Sequence, residues 1–186
     1  ALAVLAYEEA LAHFQRGLTA KGVSPMGLEP AEDEEAAALL SGLGSAQLGA
    51  LDRSSSGREA DSLSRAFDYY VNARDVDRAV TTALSALGTG SIPNAGRKFI
   101  ETALTLVSSD SQDAGRLQAL HILTLRGAAD YDKSQEAFYH ALSIARQRQD
   151  KVLEMQALVA VACVDTTSSH FERSLERNQQ ALDLAQ

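Results

Sequence analysis

One recurrence constrains this chain more than any other feature. A small residue followed by a bulky apolar one closes an amphipathic segment at Gly17-Leu18, Ala66-Phe67, Ala103-Leu104, Ala141-Leu142 and Ala181-Leu182. The steps between the small residues are 49, 37, 38 and 40. A period near forty residues spans two helices with their turns, and a hairpin of that kind buries its apolar face only by stacking on the next. The chain therefore reads as all-α: about nine helices in about four to five hairpins, an α-α superhelix of the right-handed solenoid type.

Composition agrees where it bears on this. The chain is 45% apolar, rich in Ala and Leu, with three Pro and no Trp among its 186 residues. Ala and Leu enter helices at little cost, whereas Pro is nearly excluded. The net charge of −8 leaves no cationic surplus for neutralising phosphates, so nucleic acid is not expected as a partner of this segment. No apolar run approaches the roughly 18 residues of a membrane span.

Periodicity and breakers place the elements. Residues 1–21 form a helix with a stripe of Leu2, Leu5, Leu11, Phe14 and Leu18. Gly22 and Ser24-Pro25-Met26-Gly27 end it. Helices follow at 31–51, 58–73, from Asp75 through Leu87, at 94–108, 113–128, 130–150, 151–165 and from Ser168 onward. Ser54–Gly57, Gly88–Pro93 and Ser108–Gln112 separate them. The hairpins are then 31–73, 75–108, 113–149 and 151–186, with 1–21 the second helix of a preceding repeat. No segment alternates with a period of two, so no strand is expected. The whole of 1–186 reads as a single repeat domain. It begins inside a helical pattern without Met, as a piece of a longer multidomain protein would.

The residues that could carry chemistry have structural readings. Glu29, Glu32, Asp33, Glu34 and Glu35 bunch where a helix starts, and carboxylates there answer the helix dipole. Asp75 is placed to cap the fourth helix, and Asp130 and Asp132 lie at a helix-helix turn. Gly42-Leu43-Gly44-Ser45 lies inside a helical pattern and marks close helix packing rather than a phosphate cradle. Cys163 stands in the apolar run 158–162 and reads as a buried, inert thiol. A lone Cys forms neither an internal disulfide nor a CxxC metal site, and suits a reducing, cytoplasmic setting. The four His (His13, His121, His140 and His170) have no ligand spacing, and His140 reads as a solvent-edge residue. No catalytic constellation, cofactor or metal is implied.

Three segments carry a resemblance to a known family. Tyr7…Ala10…Phe14…Gly17-Leu18, Tyr131…Ser134…Phe138…Ala141-Leu142 and Phe171…Ser174…Asn178…Ala181-Leu182 resemble the second helix of the tetratricopeptide repeat. Leu40…Leu43-Gly44…Gln47 and Leu158…Val161-Ala162 are similar to its first helix. The stretch 56–93 matches least, with Ser56 and Pro93 where aromatics stand in the family, and 44–93 is the irregular part of the array. A period near forty is similar to the long-helix arrays of bacterial signalling ATPases and transcription regulators of the MalT/LuxR type. Segments such as Arg65-Ala66-Phe67-Asp68-Tyr69-Tyr70 and Ala141–Arg146 add to that likeness. The segment carries neither GxxxxGK[ST] nor a basic DNA-reading helix.

The resemblance implies a non-catalytic interaction and sensing domain of a larger cytoplasmic regulator. Its concave face, made by first helices, would bind a peptide, a protein domain of its own or another chain, or a small effector. In that register the groove residues are Arg78, Thr81, Gln118, His121 and Gln156. The alternative is a free-standing adaptor or a self-associating scaffold, in which exposed terminal hairpins pair with a second copy as a homodimer.

Overall fold

The structure, a computed structural model, describes residues 2–50, 58–86, 93–125 and 128–186, with side chains for 6–50, 62–86, 96–125 and 129–186. Among the described residues the fold is all-α: α1 (Leu2–Ala20), α2 (Glu34–Ala50), α3 (Arg58–Ala73), α4 (Val76–Ser85), α5 (Pro93–Leu106), α6 (Gln112–Thr124), α7 (Tyr131–Arg148), α8 (Lys151–Thr167) and α9 (Phe171–Leu184). A 3-10 turn, Ala128–Asp130, precedes α7. The expected breakers Ser54–Gly57 and Gly88–Ile92, the stripe positions Leu51 and Leu87, and the side chains of Leu2, Leu5 and Pro93 lie outside the described residues.

Local chemistry starts these helices where the sequence places it. Asp33 accepts from the Ala36 amide at 2.8 Å, and Lys21 bridges Asp33 at 3.0 Å and Glu35 at 2.6 Å, so the acidic bunch is helix-start chemistry. Asp75 accepts from the Arg78 amide at 3.1 Å, Ser111 from Ala114 at 3.0 Å and Asp150 from Leu153 at 3.0 Å. Asp130 occupies the same position before α7, but its side chain makes no cap bond and lies 3.7 Å from Lys133.

Three connections made without glycine share one geometry. Arg74, Gln149 and Ser169 take left-handed φ values of 58°, 55° and 65°. The amide that follows each one reaches back five residues: Asp75 to the Tyr70 carbonyl at 2.9 Å, Asp150 to Ala145 at 2.9 Å and His170 to Asp165 at 2.8 Å. This closes the outgoing helix and aims the next one back along it.

Three boundaries differ from expectation by three residues or more. α2 starts at Glu34 rather than 31, where Asp33 caps it. α6 stops at Thr124 rather than 128, because the Thr124 hydroxyl donates to the His121 carbonyl at 2.8 Å and the Leu125 amide tightens to Ile122 at 3.2 Å. α9 starts at Phe171 rather than Ser168, because the amides of Ser168 and Ser169 still close α8 on Val164 and Thr166.

The chain forms two compact units, Ala1–Phe99 and Ile100–Gln186, with the boundary inside α5. That boundary cuts the hairpin expected at 75–108. In the first unit, α1 packs on α2, α2 on α3 and α3 on α4. A methyl added at Gly42 would run into the Phe14 ring, and one at Gly49 into Tyr7. At Gly44 it would come within 2.5 Å of Leu63 Cγ and 3.3 Å of the Leu63 amide nitrogen. Glycine is required because neighbouring helices occupy the space of a side chain. The buried Arg65 donates to the Ser24 carbonyl at 2.9 Å and to Glu29, tying the 21–33 connection to α3. Phe67 and Phe99 pack with their rings tilted, 4.9 Å between centres.

In the second unit, α8 packs on both α6 and α7, and α9 on α8. Its core runs through Ile122, Phe138, Ile144, Leu153, Leu158, Val161 and Val164, with Leu104 and Val107 packed against it. A Cβ on Gly115 would lie 2.7 Å from Leu153 Cδ2 and 3.0 Å from Ile144 Cγ2, so α6 meets α7 and α8 at this one small residue.

Candidate functional site

The second unit buries charge inside its helical core. Asp165 is 0% exposed, and its carboxylate accepts from the Tyr131 hydroxyl at 2.7 Å and from Arg177. Arg177 also donates to Gln135 Oε1 at 2.8 Å and lies over the Phe138 ring, 4.7 Å from its centre. Arg173 donates to the Tyr131 oxygen at 2.8 Å, and His170 stacks on the Tyr131 ring at 4.6 Å. Burial first, and the hydrogen bond to Asp165 second, push the Tyr131 phenol above its ordinary range, so it stays a neutral donor. Both carboxylate oxygens of Asp165 and both terminal nitrogens of Arg177 are engaged, so the network fixes α9 against α7 and α8. The sequence reasoning missed it. Its one signal was Asp165, a lone charge closing an otherwise apolar helix face.

That network sets which side of α9 faces inward. Arg177 turns to α7, while Ser174 bonds the Ala162 carbonyl at 2.9 Å and Thr166 at 2.8 Å on α8. The remaining side carries Phe171, Leu175 and Leu182, exposed by 64%, 71% and 59%. With Asn178 they follow helical spacing i, i+4, i+7 and i+11 and form one stripe. On α8, Val152, Gln156, Val159 and Cys163 stand at the same spacing on the side that neither α6 nor α7 covers. Val152 and Val159 are exposed, and Cys163 is half-buried rather than enclosed, because the helical period turns it out of the run 158–162. Antiparallel α8 and α9 lay the two stripes side by side. The result is an open apolar face on the hairpin.

The forty-residue register identifies this face. Tyr131, Ser134, Gln135, Ala141 and Leu142 on α7 correspond to Phe171, Ser174, Leu175, Ala181 and Leu182 on α9. On α7, Leu142 is buried and Tyr131 and Gln135 bond α8 and α9. On α9, Ser174 and Ala181 are buried just as on α7, while the equivalents of Tyr131, Gln135 and Leu142 are open.

The residues expected to line a groove fall in both units. In the first, Arg78 is exposed but engaged: it pairs with Glu34 on α2, lies 3.5 Å from Asp75 and sits 5.7 Å over the Tyr70 ring. Thr81 is exposed one turn on, its hydroxyl donating to the Asp77 carbonyl at 2.8 Å. In the second, His121 is half-buried with Nε2 3.6 Å from Glu101 on α5, and Gln118 is half-buried one turn earlier on the same side. The open side of α6 carries Gln112 and Arg116 instead. Gln112 donates to Asp150 at the start of α8, at 2.8 Å. Gln156 is exposed within the α8 stripe. The structure thus leaves Gln156 exposed and turns His121 toward Glu101 on α5.

His13 and His140 are exposed, and no group of His, Cys, Asp and Glu suited to a metal ion occurs among the described residues. Nor is any helix among them long and apolar enough to cross a membrane. No protein-family model, curated protein or solved structure matches this chain.

Proposed function

We propose that this chain is a non-catalytic interaction module, built of tetratricopeptide-like hairpins, that holds a helix of a partner against the open face of hairpin α8–α9. The observation carrying this is the exposed apolar stripe of Phe171, Leu175 and Leu182 on α9, with Val152 and Val159 exposed on α8. Gln135 becomes Leu175 and Tyr131 becomes Phe171, so the side chains that would solvate the face are replaced by ones that desolvate a partner. The superhelical stacking and a cytoplasmic, MalT/LuxR-type signalling parent belong to this same reading. The packing of α8 on both helices of the preceding hairpin, the period near forty and the single thiol support them. A small effector or peptide on the first helices is a secondary mode, with Arg116 and Gln156 as its outward-facing polar groups.

Selection of displayed amphipathic helical peptides against the chain tests the reading. Selected binders are expected to lose about tenfold or more in affinity on Leu175→Arg or Val159→Arg, and to keep it on Thr81→Ala. Binders indifferent to both arginine variants would remove the face from consideration. Calorimetry on Leu175→Arg and Arg116→Ala divides the two surfaces: an effect confined to Leu175 favours the hairpin face, and one confined to Arg116 favours the first-helix mode.

A further inference from the structure

We infer that residues 21–33 form a flap that opens and recloses while the helices of the first unit stay folded, with the Arg65 guanidinium as its latch. Arg74-Asp75 and Gln149-Asp150 suffice to join helices elsewhere, whereas the connection from α1 to α2 runs on well past what a turn requires. Connections of such length without secondary structure are uncommon in compact domains, and belong mostly to segments that move or bind.

The neck of the segment is closed. Gly22 takes a φ of 74°, and the Val23 amide reaches back to the Leu18 carbonyl at 2.9 Å, which ends α1. Lys21 then spans to Asp33 at 3.0 Å and to Glu35 at 2.6 Å, tying the exit from α1 to the entry into α2. None of these contacts involves residues 24–32, so the neck holds whether or not that stretch lies down.

The middle is held by other means. Of residues 21–33 only Ala31 is buried, while Met26 and Leu28 stand 61% and 78% exposed, so lifting it costs little apolar burial. Its own bonds are local, from the Met26 and Gly27 amides to Ser24, and survive the lift. The polar tie to α3 is Arg65, which donates to the Ser24 carbonyl at 2.9 Å and to that of Glu29. Arg65 is only 5% exposed, so opening rehydrates a guanidinium and frees backbone at the same time. Those gains oppose the two hydrogen bonds, and a segment so balanced opens well below the stability of the helices around it. One planar fork holds both carbonyls, so they leave together.

Cleavage of the intact chain at Glu29 and Glu32 by a glutamate-specific protease tests this, because a latched segment must lift to be cut. The wild-type rate is expected to change little in urea below the unfolding transition, since lifting exposes little surface. Arg65→Met should raise it about tenfold, and Arg65→Lys, which keeps the charge but not the fork, severalfold, with circular dichroism showing the helices intact. A wild-type rate that climbs with urea in step with helix loss overturns the flap without recourse to any variant. Cleavage of folded Arg65→Lys no faster than wild type overturns the latch, whether or not Arg65→Met folds.

Discussion

The two compact units pack helices by opposite means. In the first, α2 gives up side chains: Gly42 and Gly49 admit the rings of Phe14 and Tyr7, and Gly44 admits Leu63. In the second, a single glycine, Gly115, serves the α6 junction, and α7, α8 and α9 are held in register by a buried ion pair with its hydrogen-bonded neighbours. Small residues set alignment by shape, since each notch is filled by one ring or branched side chain. A buried Asp-Arg pair permits one alignment, because a shift strands a charge. The difference teaches that the second unit fixes its register by charge as well as by shape. An exposed stripe can serve recognition only if its helix cannot rotate.

The largest expected effect tests that claim. Arg177→Met alone should destabilise the chain by about 3 to 5 kcal/mol, read in urea unfolding, by leaving Asp165 buried and unpaired. Adding Asp165→Leu should restore most of it. If the double variant regains stability but its α9 amides exchange faster, the pair supplies register rather than stability. Two variants with additive losses would break the comparison.

A smaller effect belongs to the glycines. Gly44→Ala sets overpacking against Leu63, including its backbone, against the better helix propensity of Ala, and should cost about 1 to 2 kcal/mol. Gly115→Ala meets only side-chain atoms of Leu153 and Ile144, which can yield, and should cost less. The reverse order in thermal melts would show that the second unit is the more tightly packed of the two.

Caps provide an effect common to both units. Asp75→Ala and Asp150→Ala should each cost about 1 kcal/mol. The Leu153 amide first, and Gln112 second, hold the Asp150 carboxyl below its ordinary range. A carboxyl depressed on folding contributes fully above the unfolded value near 4 and loses that contribution as pH falls through the folded one. The gap in urea midpoint between wild type and Asp150→Ala should therefore be constant near neutrality and close below about pH 4.

The smallest effect lies in the shared turn. Gln149→Gly and Arg74→Gly relieve left-handed strain and should change stability by about 1 kcal/mol or less, in the stabilising direction. A loss at either position would mean that its side chain does more than turn the chain.

Much of this was legible in residues. Asp33, Asp75 and Asp150 precede their helices in sequence, and capping is a contact over three residues, so no tertiary knowledge is needed to place it. Gly42 and Gly44 of α2 were readable as close-packing sites because a helical pattern runs through them. Of the candidate site, Gln156 was placed on an open face, whereas Gln118 and His121 were not. A first-helix register counted from α7-type motifs fixes which helix a residue is on but not its rotation about the axis. That rotation is set by where Gly115 meets Leu153 and Ile144.

The sequence by itself determined the all-helical class, several of the helix caps and the forty-residue repetition, because propensity, caps and periodicity act over a few residues. Tertiary structure alone decided that Asp165 and Arg177 are partners, twelve residues apart and on different helices. It decided equally that Phe171, Leu175 and Leu182 face outward while their counterparts on α7 are engaged. Which face of an amphipathic helix is covered depends on what stacks against it, and a repeating pattern is the same whether or not a neighbour is present.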